Sequence, residues 1–261
     1  MARRSSSSNN ENSGGSGGGS HAKGASDELV GWSTLALGLA ISTLLLWKNG
    51  GWAAFRSPTR FHGFDDYSLF NIAVLLLPTL TWILVALRRE LSDFGLTPGN
   101  ARGALLFSLV IGLAYIPVLA LFSGQKQFQA YYIPWLSSSG ILYGMEWHGG
   151  QYTGGKIDYG RFLYHETVMC FYMFAWEWFF RGYLLFGLRK IMPTWAAAIV
   201  QALPFFVLHL GKPPAEFWSS LPGGILLAPV AIRFKSFLPC FLVHYIISLG
   251  NDIAALYFHF R

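Results

Sequence analysis

Residues 30–47 read VGWSTLALGLAISTLLLW, a stretch without a single charged side chain. As an α-helix this stretch rises roughly 27 Å, close to the thickness of the hydrocarbon core of a bilayer. A run of this length and composition predicts a helix that crosses a membrane. Backbone groups in lipid must pair within their own segment, so a helix is the structure expected for every such run.

Further apolar runs follow along the chain. Residues 69–87 and 104–122 are also free of charge and resemble the first run. Four later runs are less uniform and cover 162–188, 195–210, 217–232 and 237–256. The pattern predicts an all-α fold, a polytopic transmembrane helix bundle of about six to eight helices with a disordered N-terminal tail.

The overall composition agrees with a membrane location. The chain has 261 residues, of which 53% are hydrophobic and only 12% are charged, whereas soluble domains carry about 25% charged residues. The net charge of +6 comes from basic residues at the ends of apolar runs, such as Arg88, Arg89, Arg189 and Lys190. That placement is typical of cytoplasmic loops and excludes nucleic acid as the expected partner. The lipid bilayer is the expected surrounding, in the plasma (inner) membrane if the host is bacterial.

The chain divides into four segments by composition. A Ser/Gly-rich tail, 1–27, has almost nothing to bury and is expected to be disordered. Supporting transmembrane helices occupy 28–122, a long polar-aromatic loop occupies 123–161, and motif-bearing transmembrane helices occupy 162–261. The loop is expected either as a lid or as an interfacial anchor. Cys170 and Cys240 lie inside apolar runs and indicate no disulfide framework.

Ionisable side chains separate the later runs from the first three. Such groups cost free energy at membrane depth and rarely face lipid. They include Glu166, Glu177, Arg181, His209 and His244. Glu177 and Arg181 stand four residues apart, so that on a helix they share a face and can form an ion pair. A carboxylate and two histidines could also activate water and bind an oxyanion, if the three converge.

Three short segments in the second half resemble the motifs of a known family. Residues 176–182 read WEWFFRG, residues 205–209 read FFVLH, and residues 244–248 read HYIIS. In this order they resemble the EExxxR, FxxxH and HxxxN motifs of the CAAX-protease and bacteriocin-processing (CPBP, or ABI) intramembrane proteases. The upstream stretch 93–96, DFGL, is also similar to a segment of that family.

The resemblance implies a helical bundle that cleaves peptide bonds in or beside the membrane. In that family a glutamate and a histidine activate water, and a second histidine and an asparagine stabilise the oxyanion. Carried over by position, Glu177, His209 and His244 are the expected catalytic residues, and Arg181 supports them. The substrate would be a membrane protein or peptide. The glutamate mechanism requires no cofactor and no metal ligand is assigned, although a divalent metal stays an open alternative.

Two positions depart from the family pattern. Trp176 stands where the family has its first glutamate, the usual base, and an indole cannot accept a proton at neutral pH. Ser248 replaces the asparagine and can still donate a hydrogen bond; Asn251, on the same run, is taken as a further supporting residue. Either Glu177 has become the base or the protein no longer cuts peptides. The alternatives to a peptidase are a catalytically silent scaffold or peptide-binding protein, and a transporter.

Overall fold

The computed structural model of the protein describes residues 25–49, 63–149 and 151–261. Most of the expected disordered tail, residues 1–24, lies outside these ranges. The described part of the chain forms eight helices and one β-hairpin. The helices are α1 (Asp27–Lys48), α2 (Phe64–Leu87), α3 (Ala101–Phe122), α4 (Lys126–Ser138), α5 (159–188), α6 (Thr194–Val207), α7 (Pro214–Phe234) and α8 (Leu238–His259). A short 3₁₀ turn, Leu91–Phe94, lies between α2 and α3.

The expectation of a transmembrane helix bundle is confirmed. Five of the described helices are long and apolar enough to cross a membrane, namely α1, α2, α3, α7 and α8. Helix α3 shows how the outside of the bundle is built, since it buries only Ala104 and Ser108 and exposes large side chains such as Val110 and Leu113. Exposed aliphatic surface on that scale suits lipid and not water. The protein is therefore a multi-pass integral membrane protein.

Helix α5 is the central member of the bundle. It contacts α1, α2, α6, α7 and α8. Its first part, Tyr159–Glu177, and its last turn, Leu185–Leu188, are α-helical, and Trp178–Leu184 between them is a π-helical segment whose seven residues are all buried. Its neighbours cover residues 172–188, none of which is exposed, which is why this part of the helix can carry charged side chains at membrane depth.

Small residues let α1 approach α5 closely. A Cβ atom added at Gly187 would lie 2.9 Å from the Cβ of Thr34 on α1, and one added at Gly38 would overlap the side chain of Leu184. Membrane helices associate largely through such close packing, because lipid provides no hydrophobic driving force between them. The glycines therefore fix how near α1 lies to the central helix.

The segment 123–161, expected as a loop, contains regular structure. Helix α4 occupies Lys126–Ser138, and strands β1 (Leu142–His148) and β2 (Gln151–Ile157) form an antiparallel hairpin with Leu142 opposite Ile157. An open two-stranded sheet leaves backbone groups unpaired at its edges, which the hydrocarbon core does not tolerate. The hairpin consequently lies outside that core, and its exposed Tyr143 and Trp147 are residues typical of the membrane–water interface.

We expect Gly187→Ala to destabilise the protein. The new methyl group must displace the β-branched side chain of Thr34, and overpacking of this kind costs about 1–3 kcal/mol. The measurement is the thermal unfolding midpoint of the purified protein in detergent. Gly223→Ala is the matched control, because Gly223 lies inside α7 with open space where its Cβ would be. A midpoint for Gly187→Ala that equals the control would show that α1 moves freely relative to α5.

Candidate active site

Glu177 is the centre of a buried charge cluster. Its Oε1 atom accepts a hydrogen bond from Nη1 of Arg181 at 2.9 Å and lies 2.7 Å from Nδ1 of His244. Glu177 and Arg181 are completely buried, and the His244 side chain is 15% exposed. The expected ion pair between Glu177 and Arg181, four residues apart, is present. His244 from α8 extends it to a cluster of three residues.

Helices α6 and α7 make room for the guanidinium group of Arg181. A Cβ atom at Gly224 of α7 would lie 3.5 Å from Nη2 of Arg181 and 3.0 Å from the Cβ of Ala202 on α6. The Cζ atom of Arg181 lies 3.9 Å from the centre of the Phe205 ring. A cation over an aromatic face is attracted by the ring quadrupole, more strongly when both are out of water. Arg181 is thus held between a carboxylate and a ring.

His209 lies just after α6 and is fixed by its own backbone. Its Nδ1 atom is 2.7 Å from the carbonyl oxygen of Phe205. A carbonyl only accepts hydrogen bonds, so Nδ1 carries the proton, and Nε2 of the neutral ring holds a lone pair. The ring lies nearly parallel to Trp176, with centroids 6.5 Å apart and planes at 13°, and its centroid is 6.4 Å from that of His244.

The three expected catalytic residues therefore converge. They come from three different elements: Glu177 from α5, His209 from the end of α6 and His244 from α8. Trp176 lies beside these three residues, with its ring nearly parallel to the His209 ring. Sequence spacing could not show this convergence, because it depends on how α6 and α8 pack against α5.

A small polar cavity of about 70 Å³ adjoins the cluster on the His244 side. His244 and Ser248, one turn apart on α8, both line it, as do Asn251 and Asp252. Cavities of this size hold a few water molecules when their walls are polar. A larger groove of about 520 Å³ lies between α4, the hairpin and the end of α8, but none of the three converging residues lines it.

The far wall of the cavity carries polar residues that sequence reasoning missed. Nζ of Lys212 donates to Glu216 at 2.6 Å, and the Tyr132 hydroxyl donates to the other oxygen of Glu216 at 2.7 Å. Asn251 donates to the Tyr132 hydroxyl at 2.9 Å, so it supports this wall and not the Glu177 cluster. The four-residue spacing of Lys212 and Glu216 at the start of α7 was the signal that could have indicated the pair.

Lys212 stays charged in this wall. It lies in the turn between α6 and α7, outside the spanning helices. Burial acts to lower the pKa of Lys212, but the Glu216 carboxylate beside it outweighs that effect and raises the pKa. The wall thus presents a fixed ion pair to the cavity.

The motif-bearing region has known relatives at the family level. Residues 162–250 match the model of the Rce1-like family, described as type II CAAX prenyl endopeptidase. This is a CPBP protease family. The resemblance derived from the three motifs is thereby confirmed, and the Rce1-like match covers all three converging residues. No curated protein and no solved structure matches the chain.

We expect Arg181→Met to destabilise the protein by about 3–5 kcal/mol, because removing one partner of a buried ion pair leaves the other charge uncompensated. Denaturant unfolding in detergent micelles measures the loss. Arg189→Met, which changes an exposed arginine directly after the same helix, serves as the control and should change the unfolding free energy by about 0.5 kcal/mol or less. Equal losses in the two variants would show that His244 alone satisfies Glu177.

Proposed function

We propose that the protein is an intramembrane endopeptidase of the CAAX-protease type, which hydrolyses a peptide bond of a membrane-bound peptide beside His244. The observation that carries the proposal is the meeting of Glu177, His209 and His244 next to a polar cavity within the bundle. The Rce1-like match supports the class of reaction. The residue roles below rest on the geometry of the cluster.

Glu177 acts through His244 and not as the base. Arg181 donates to the same carboxylate oxygen that His244 contacts through Nδ1, and a carboxylate paired with an arginine and engaged by a second hydrogen-bonding group is a weak proton acceptor. The carboxylate instead fixes the plane of the His244 ring through its contact with Nδ1. In its doubly protonated form this ring donates from Nε2 to the oxyanion that forms when the peptide carbonyl is attacked.

His209 is the proton acceptor in this proposal. Its Nδ1 proton is committed to Phe205, so its Nε2 lone pair is the free basic position of the ring. The water oxygen bonds to the carbonyl carbon while the water proton passes to Nε2 of His209. When the C–N bond then breaks, the same proton passes to the leaving amine.

Ser248 supports the oxyanion in place of the family's asparagine. It lies one turn after His244 and lines the same cavity. A hydroxyl group can donate one hydrogen bond to a negatively charged oxygen, as an amide can. Removal of a single donor of this kind typically lowers the rate 10²- to 10³-fold. In this proposal the serine hydroxyl keeps a donor at the position, and the change from asparagine to serine avoids that loss.

Binding without cleavage is the second candidate function. It is favoured by Trp176, which lies at the position of the family's first glutamate and packs parallel to His209. A chain in which the indole keeps water away from His209 would retain the cavity and hold a peptide without cutting it. The substrate class would be the same, a prenylated or otherwise membrane-bound peptide.

We expect His209→Ala to lower the rate of peptide cleavage 10²- to 10⁴-fold, because a positioned base is removed. His244→Ala and Glu177→Gln should each lower the rate about 10²-fold or more, and the double variant should be no slower than the slower single variant, since Glu177 acts through His244. The assay follows cleavage of a prenylated peptide with a CAAX end by purified protein in lipid nanodiscs.

The control for these variants is His148→Ala, which removes an exposed histidine of the hairpin. It should cleave at the wild-type rate, and thermal midpoints of all variants verify that they fold. Cleavage that persists undiminished in His209→Ala would overturn the assignment of the base. No cleavage by the wild type, together with saturable binding of the peptide, would support the second candidate function.

Trp176→Glu tests whether the protein still cleaves peptides with an indole at the position of the family's first glutamate. In an active enzyme that relies on His209 we expect no gain and up to a tenfold loss, because a second carboxylate beside Glu177 competes for Arg181 and His244. Activity that appears only in Trp176→Glu would instead identify the wild type as a silent relative. Trp178→Phe is the control, since Trp178 donates to Thr79 on α2 and faces away from the cluster.

A further inference from the structure

A second group of ionisable side chains lies between the same two helices, away from the Glu177 cluster. His165 and Glu166 of α5 and Asp252 of α8 are 0%, 5% and 1% exposed. Each offers one ligand atom such that these atoms all lie within 4.8 Å of one another. Asp252 follows His244 by eight residues, about 12 Å along the helix. The group is therefore separate from the proposed catalytic residues.

In the part of the chain that the structure describes, the polar side-chain atoms of this group have no hydrogen-bond partners. No hydrogen-bond partner among the described residues is present for the two nitrogens of His165, the two oxygens of Glu166 or the two oxygens of Asp252. Nε2 of His165 lies 3.4 Å from Oδ2 of Asp252. Buried polar groups are normally hydrogen-bonded, and buried charges are paired or coordinate metals. Three buried side chains that lack hydrogen-bond partners and each bring one ligand atom within 4.8 Å of the others thus require an additional species.

A shared proton accounts for only part of the group. A proton between Glu166 and Asp252 would neutralise one carboxylate, but it would leave Nδ1 of His165 without a partner and Nε2 with only the long 3.4 Å contact to Asp252. A dication accounts for all three side chains at once, because two carboxylates balance its charge and a neutral imidazole supplies a nitrogen ligand. Nitrogen and carboxylate donors together suit zinc and similar divalent transition metals.

The geometry needs only a small closure around the ion. Zinc bonds nitrogen and carboxylate oxygen at about 2.0–2.2 Å, which places tetrahedral ligand atoms roughly 3.4 Å apart. Side-chain rotations that bring atoms 4.8 Å apart closer by about 1.4 Å reach this distance. The imidazole plane is already fixed, because Phe64 stacks on His165 with ring centroids 4.4 Å apart and Trp135 meets it edge-on.

Asp252 also connects the proposed ion to a cavity, from which the ion can enter and water can bind it as a further ligand. It lines the polar cavity that contains His244 and Ser248, so water in that cavity can complete the coordination. We propose that His165, Glu166 and Asp252 bind one divalent transition-metal ion, which joins α5 to α8 at a second point. The metal holds together the two helices that carry Glu177 and His244. Its presence does not depend on peptidase activity.

The test is metal binding by the full chain in detergent after treatment with a chelator. Zinc is titrated, the protein is desalted, and bound zinc is measured by mass spectrometry beside the thermal midpoint. We expect about one zinc per wild-type chain and a higher midpoint with zinc. Glu166→Gln and Asp252→Asn, which keep side-chain shape, should each weaken zinc binding at least tenfold and abolish the shift in midpoint.

Two histidine controls separate this site from others. His148→Ala removes an exposed histidine paired with Glu146, and His209→Ala removes one from the proposed catalytic group; both should bind zinc as the wild type does. Zinc bound undiminished in Asp252→Asn, or lost in His209→Ala, would overturn the proposal. The proposal is also overturned if the wild type binds no zinc and Asp252→Asn has a higher thermal midpoint than the wild type, since that result identifies a proton-sharing pair.

Discussion

A carboxylate in a lipid environment must be neutralised by its own protein, and this constraint organises the centre of the molecule. Glu177 is fully buried and has Arg181 and His244 on a single oxygen. Arg181 in turn needs the Phe205 ring and the space left by Gly224. Arg181 lies on α5 with Glu177, whereas Phe205 lies on α6, Gly224 on α7 and His244 on α8. The pairing of one charge therefore sets the relative positions of α5, α6, α7 and α8.

The helices themselves were predictable because the signal is strong and local. An uncharged run as long as a bilayer is thick has few other solutions, and the spacing of Glu177 and Arg181 gave their contact directly. Segment 123–161 was not predictable in the same way. Pro134 interrupts the pattern of α4, and glycines dilute the alternation of the hairpin strands. The sequence pair Gly149-Gly150, typical of a tight hairpin turn, was the available signal.

The candidate site was predictable as residues but not as chemistry. The motifs singled out Glu177, His209 and His244, yet the positions of their protons follow from hydrogen bonds that motif spacing does not show. Nδ1 of His209 faces a carbonyl within its own turn, and Nδ1 of His244 faces a carboxylate 67 positions earlier in the chain. Only the second contact requires the folded bundle. Likewise His165 is an unremarkable polar residue in the sequence, and becomes a candidate ligand through the neighbours that α8 brings to it.

The π-helical segment of α5 has a consequence for how the chain tolerates insertions and deletions. Such a segment holds one more residue than the same length of α-helix, so the residues beyond it are rotated by about 100° relative to an unbroken helix. This phase shift directs Glu177 and Arg181 to one side of the bundle while Gly187 meets Thr34 of α1. Loss of a single residue within 178–184 would restore a regular helix and turn Gly187 away from α1. In this stretch, length is constrained as strongly as composition.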